Sequence, residues 1–126
     1  MVEVRNIQES DLVAAKFLTD TEKWGNSKSD WNRLFKKSIP LGAYDDGKLV
    51  GVTTAFNFST LGMIGNVIVS EDYRGKEIGR KLVIEAKRRL ETCDSVRVHS
   101  NMNSTVFYKI LGITPVRMAS LIFVSD

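Results

Sequence analysis

Apolar and polar positions alternate in short blocks along this chain, and the period of the pattern changes from block to block. Val2 and Val4, with Ile7 close behind, predict a short first strand. Ser10 stands as an N-cap and Asp11 in a first turn, ahead of a helix carried by Leu12, Ala15, Lys16 and Leu18. The polar stretch from Glu22 to Ser29 contains Gly25 and predicts a loop. Ser27 or Ser29 can then cap a second helix holding Trp31, Leu34 and Phe35, which Pro40 ends. Leu41 to Tyr44 predicts a strand, Asp45 to Lys48 (D-D-G-K) a tight turn, and Leu49 to Phe56 the returning strand of a hairpin. Gly62 to Val69 is a further apolar strand. From Ile78 the apolar residues fall at Ile78, Leu82, Val83, Ala86 and Leu90, one face of a helix. Val96 and Val98 predict a strand, Asn103 to Leu111 a short helix, and Val116 to Val124 a last strand. Strands that alternate with helices in the second half imply parallel pairing, and the hairpin implies antiparallel pairing. The expectation is an α/β (α+β) fold, a mixed sheet flanked by helices in the order β-α-α-β-β-β-α-β-α-β.

Composition narrows this little but excludes several classes. A chain of 126 residues is expected to form a single domain, residues 1–126, large enough to bury a core without staples. Its net charge of +3 is too small to argue for nucleic-acid binding by itself. One cysteine, Cys93, leaves no intrachain disulfide and suits a reducing, cytoplasmic setting. With His99 as the only histidine, a Cys/His metal site is not expected, and no metal is. There is no long apolar run to span a membrane and no signal-peptide pattern at the start.

The chemistry concentrates in V-I-V-S-E-D-Y-R-G-K-E-I-G-R-K-L-V, residues Val67 to Val83. A strand that turns straight into a helix leaves the first helical amides without partners, at the positive end of the helix dipole. Gly75 and Gly79 allow close backbone approach, and Arg74, Lys76, Arg80 and Lys81 surround the turn with positive charge. These features suit a pyrophosphate. They equally suit a solvated basic turn leading into an amphipathic helix. The segment is neither a P-loop, since no G-K-[ST] follows, nor a dinucleotide fingerprint, since G-x-G-x-x-G is absent.

Arg74-Gly75-Lys76-Glu77-Ile78-Gly79 resembles the [QR]-x-x-G-x-[GA] coenzyme A motif of the GNAT acetyltransferase superfamily. N-M-N-S-T-V-F-Y-K-I-L-G-I, Asn101 to Ile113, resembles that family's N-x-x-A-x-x-[LF]-Y-x-x-x-G-F, with Asn101, Phe107, Tyr108 and Gly112 in register and Ser104 and Ile113 as mild departures. The element order resembles the family fold over nearly the whole chain, whose sheet splays between its fourth and fifth strands. The resemblance implies an N-acetyltransferase with acetyl-CoA or CoA as co-substrate. Backbone groups of Val67, Ile68 and Val69 would hold the pantetheine arm and polarise the thioester. The amides of Gly75, Lys76, Glu77, Ile78, Gly79 and Arg80, beside Arg74, would hold the pyrophosphate. Asn101 would contact the pantetheine end, or serve only as a helix-entry residue. Tyr108 would be the acid for the departing thiolate.

Two departures stand out. Glu77 occupies the position of the motif's middle glycine, where a carboxylate repels a pyrophosphate unless it turns to solvent. The fourth strand (I-G-N-V) and the fifth (S-V-R-V) carry no carboxylate to act as base, which leaves ordered water, His99, or no base at all if the acceptor amine arrives neutral. A CoA-binding sensor domain with little turnover is therefore the alternative to an enzyme. The partner is an amine acceptor of unspecified identity. An exposed last strand could pair with a second copy, giving a homodimer.

Overall fold

The computed structural model of the chain describes residues 2–21, 35–65, 67–75 and 77–98. Within them lies a six-stranded sheet in the order β1-β2-β3-β4-β6, with β5 also paired to β3. The strands are β1 (Val2–Asn6), β2 (Ile39–Asp45), β3 (Lys48–Phe58), β4 (Leu61–Ile64), β5 (Ile68–Val69) and β6 (Ser95–Val98). Helix α1 spans Leu12–Thr21 and α2 spans Ile78–Arg89. The described strand pairs are antiparallel except β4 with β6, which is parallel. The expected mixed, helix-flanked sheet is therefore what forms. Most of the expected second helix, the helix over Asn103 to Leu111 and the last strand lie outside the described residues.

The β2–β3 hairpin turns at Asp46 and Gly47, both left-handed (φ 51° and 83°), the geometry a two-residue turn needs to match the twist of its strands. Ala43 pairs with Gly51 but Tyr44 with Leu49, so Val50 is an extra residue in β3. That bulge sends Val50 and Val52 to opposite faces despite their equal parity. Val50 joins Leu41, Ala43, Ala55 and Ile64 beneath Ile78, Leu82, Val83 and Ala86 of α2. Val52 joins Leu49, Tyr44 and Ile68 beneath Leu12, Ala15 and Leu18 of α1. The helices thus cover the sheet from both sides, and the apolar stripe predicted for α2 is the buried one. On the outer side of α2, Arg88 and Arg89 clamp Glu85 at 2.6 and 2.7 Å. Their hydrogen bonds, led by that of Arg88, pull its carboxyl down to about 2 against the cost of burial.

Three local expectations differ from the structure. The turn into α1 starts earlier than Ser10. A 3-10 turn covers Glu9–Asp11, and the Gln8 amide donates to Asp11 Oδ2 at 3.3 Å, because a carboxylate there reaches back to an orphan amide. Pro40 lies inside β2 rather than at a helix end; helical residues 35–37 stop before Ser38. The Pro40 carbonyl still accepts the Ile7 amide at 2.9 Å, but a proline has no N–H to return the bond, so the β1–β2 ladder ends there. Finally, the expected single strand over Gly62 to Val69 is two pieces. Ala55 faces Ile64 and Val52 faces Ile68, three steps along β3 against four on its partner, so one extra residue bulges out between β4 and β5.

Gly65 opens that bulge. Its amide donates to the Thr54 carbonyl at 2.7 Å, and a Cβ placed on it would collide with Thr54 Oγ1. Gly65→Ala is expected to lower stability by about 1–3 kcal/mol in urea unfolding, the usual cost of an overpacked site. A double-mutant cycle with Thr54→Ala should show strong coupling; simple additivity would mean that this contact is not the cause.

Candidate functional site

The site grows from the edge of β5. The Ser70 amide donates to the Val50 carbonyl at 2.8 Å, and Val52 faces Ile68 in the same register. Alternate residues of an antiparallel strand turn their amide and carbonyl to opposite edges. Ile68 therefore spends its backbone groups on Val52, while Val67 and Val69 turn theirs away from β3. β6 pairs with β4 from Leu61↔Ser95 to Ile64↔Val98, and among the described residues β5 pairs with β3 alone. The bulge at Gly65 thus separates the part of the strand that is paired on both sides from the part that, among the described residues, is paired on one side only.

The chain leaves β5 through a 3-10 turn, Glu71–Tyr73, closed by the Tyr73 amide on the Ser70 carbonyl at 2.8 Å. Arg74 Nε donates to the Val69 carbonyl at 3.1 Å, so this guanidinium bridges the strand end and the turn. The backbone then swings through the left-handed region twice, at Gly75 (φ 80°) and Glu77 (φ 62°). Glu77 is the N-cap of α2, and its carbonyl accepts the first helical bond, from the Lys81 amide at 3.1 Å. The amides of Ile78, Gly79 and Arg80 precede that bond and have no partner within the helix. No side chain of the N-cap residue caps them. Three uncapped amides at the positive end of a helix, reached through a left-handed turn, can accept an anion.

Gly75 and Glu77 explain each other. A Cβ on Gly75 would meet nothing within 4 Å, so that glycine serves conformation and not space. Glu77 takes the same left-handed conformation with a side chain attached, which is why the corresponding motif position favours glycine. Its carboxylate turns outward: the side chain is 72% exposed and sits 3.6 Å from Arg80 Nη1. The local charge is partly self-neutralised, and Arg80 is drawn to the rim.

Val67, Ile68, Val69, Arg74, Gly75, Glu77, Ile78, Gly79 and Arg80 all fall along this one continuous path from strand to helix. Ile78 serves it differently from the rest, since its side chain is 2% exposed and anchors the helix start in the core. Lys76, His99, Asn101 and Tyr108 lie outside the described residues. Two contributors were not singled out from the sequence. An isolated glycine in an apolar strand signals a bulge, and Gly65 carried that signal. Tyr73 carried none: its hydroxyl donates to Asp45 Oδ2 at 2.8 Å, across 28 positions of chain. That hydrogen bond, more than the accompanying burial, raises the phenol above its ordinary pKa.

A model of the acetyltransferase (GNAT) family matches residues 2–113. Solved structures with the same fold include a ribosomal-protein-alanine N-acetyltransferase from Brucella melitensis, 18% identical, with a TM-score of 0.79 over 98% of this chain and 100% of that one. An acetyltransferase from Trypanosoma brucei is 22% identical, with a TM-score of 0.75 over 98% of this chain and 100% of that one. An aminoglycoside N-acetyltransferase in complex with CoA is 13% identical, with a TM-score of 0.75 over 100% of this chain and 95% of that one.

The left-handed conformation at Glu77 has a measurable cost. Glu77→Gly is expected to raise the stability of the free protein by about 1 kcal/mol, since a left-handed non-glycine costs roughly 1–2 kcal/mol and glycine's own entropy returns part of it. Chemical denaturation without ligand measures this. An unchanged or lower midpoint would show that the Arg80 contact outweighs the strain.

Proposed function

Because the chain belongs to the acetyltransferase (GNAT) family, we propose that it is an N-acetyltransferase. It moves the acetyl group of acetyl-CoA to an amine of a small molecule or protein by direct attack. The observation that carries this reading is the uncapped, left-handed entry into α2 lying directly beyond the edge of Val67 and Val69 that no described strand pairs. A nucleotide pyrophosphate and an extended amide-bearing arm, joined in one ligand, match those two features in that order.

Acetyl-CoA, when bound, supplies an acyl carbon activated by a thiol leaving group. The amides from Gly75 to Arg80 hold the diphosphate, with Arg74, Lys76 and Arg80 adding charge. Val67 bonds the arm through its outward backbone groups and Val69 through its amide, the Val69 carbonyl being held by Arg74 Nε, with Ile68 pinning the strand to β3 between them. An outward amide beside the bulge also stabilises negative charge growing on the thioester oxygen. Asn101 steadies the pantetheine end. The acceptor nitrogen bonds to the acyl carbon, the carbon–sulfur bond breaks, and the thiolate takes the Tyr108 proton. The amine's own surplus proton goes to ordered water or to His99. No covalent bond to the protein forms.

A second reading, a CoA-binding sensor with little turnover, draws on two observations. Glu77 places a carboxylate at the rim of the anion site, and β4, β5 and β6 carry no carboxylate to act as base. Acetyl-CoA consumption over a panel of primary amines separates the two readings.

Binding is tested first. CoA at about one hundred times its Kd is expected to stabilise the fold by about 2.7 kcal/mol, seen as a raised melting temperature. A flat melting temperature at millimolar CoA removes both readings.

Chemistry is tested by Tyr108→Phe. Loss of the acid is expected to lower kcat about 10²-fold with CoA affinity and melting temperature almost unmoved. Single-turnover acetylation must accompany the steady state, because slow product release would hide the chemical step. A variant with wild-type rates would mean that the thiolate leaves without Tyr108.

A further inference from the structure

The anion site is held by regular structure on one side only. Ile78 sinks the start of α2 into the core, but on the strand side the path runs through a 3-10 turn and two left-handed residues. Such a segment has no sheet or helix ladder of its own. Its local bonds, the Tyr73 amide to Ser70 and Arg74 Nε to Val69, tie it only to residues a few positions back. The Tyr73 side chain ties it to distant elements. Tyr73 Oη donates to Asp45 Oδ2 at 2.8 Å, and Asp45 is the last residue of β2, at the mouth of the β2–β3 turn. Lys48, across that turn, places Nζ 5.9 Å from the centroid of the Tyr73 ring. The ring itself packs against the cluster under α2. Tyr73 is therefore gripped through its ring and its hydroxyl by β2, by Lys48 at the start of β3 and by the core cluster. It stands two positions before Gly75, where the backbone first becomes left-handed.

We infer that the Tyr73–Asp45 hydrogen bond is a positioning pair for the diphosphate-binding turn, a device that orders the amides of Gly75, Ile78, Gly79 and Arg80 before ligand arrives. The inference rests on the proposed CoA-binding reading and adds residues that touch neither the cofactor nor the acceptor. Its physical basis is entropic. A turn held in its bound shape loses less freedom on binding, so the same contacts yield higher affinity. Without the hydroxyl the turn samples more shapes, and ligand must order it. Phosphates bound to the amides would feel this, whereas the acyl end and Tyr108 would not.

The test uses CoA titration and steady-state kinetics on the full chain. Tyr73→Phe keeps the ring and removes the donor. Asp45→Ala removes the acceptor, and Asp45→Asn keeps an acceptor while removing the charge. Tyr73→Phe and Asp45→Ala are each expected to raise the Kd for CoA and the KM for acetyl-CoA about three- to tenfold, the range of one hydrogen bond. kcat at saturating acetyl-CoA should hold, and the double variant should be no weaker than either single one. Asp45→Asn should stay within about twofold of the wild type, since its amide oxygen still accepts the phenol's bond. Removing a carboxylate near an anion site would by itself strengthen binding, so a loss in Asp45→Ala cannot come from charge. Wild-type Kd in either Tyr73→Phe or Asp45→Ala, with only the melting temperature lowered, would overturn the inference and leave the CoA reading intact. Absence of CoA binding in the wild type itself would overturn both. Either single variant decides the matter if the other fails to fold.

Discussion

Everything at this site depends on how closely α2 lies on β3. The contact point is Gly51, where an added Cβ would come within 3.1 Å of Leu82 Cδ1, 3.3 Å of the Ile68 carbonyl and 3.4 Å of Ile78 Cγ2. Gly51 also pairs with Val69. One glycine therefore brings the first turns of the helix and the free-edged strand together. The approach is stable because Ile78, Leu82, Val83 and Ala86 are buried along one stripe, each large side chain contributing about 1.5–3 kcal/mol. An added side chain at Gly51 would press on Leu82 and Ile78 of the helix and on the Ile68 carbonyl at once.

Given that seating, the turn between strand and helix has little freedom of direction but needs unusual backbone. It reaches the helix start by two left-handed residues, one of them a glutamate. The outward-facing carboxylate of Glu77, paired with Arg80, turns a charge conflict into a rim contact. The conformational cost is met elsewhere: by the core grip on Ile78, by Arg74 on the Val69 carbonyl and by Tyr73 on Asp45. Strain at a binding turn persists when its surroundings over-determine it, and these contacts do so from both ends.

The opposite face of the sheet supplies rigidity. Tyr44 is buried, donates to Asp11 Oδ2 at 2.8 Å and lies under the Arg5 guanidinium at 3.6 Å. Burial, then Asp11, push its phenol far above the ordinary range, so it remains a donor. This joins β1, β2 and the entry to α1 by a polar contact inside an apolar layer. Ile68, whose side chain points into that layer, ties the free-edged strand to it as well.

Periodicity alone determined the elements with strong repeats. The buried face of α2 was visible as Ile78, Leu82, Val83, Ala86 and Leu90, and the hairpin as D-D-G-K, because both patterns are local and both are required for burial or turning. The basic, glycine-bearing run from Arg74 to Arg80 likewise marked the turn into α2, since a strand-to-helix turn fixes where uncapped amides must lie. What the sequence could not reveal were quantities set by register. A single extra residue at Val50 and another between Ile64 and Ile68 reassign faces and edges, and they decide that Val67 and Val69, not Ile68, turn their backbone groups away from β3. The meaning of Glu77 changed in the same way, from a misplaced charge to a left-handed residue with an outward side chain. The Tyr73–Asp45 bond joins positions whose neighbourhood exists only after β2, β3 and the turn are assembled. No periodicity encodes such a contact, because its partners share no element and meet only through the tertiary fold.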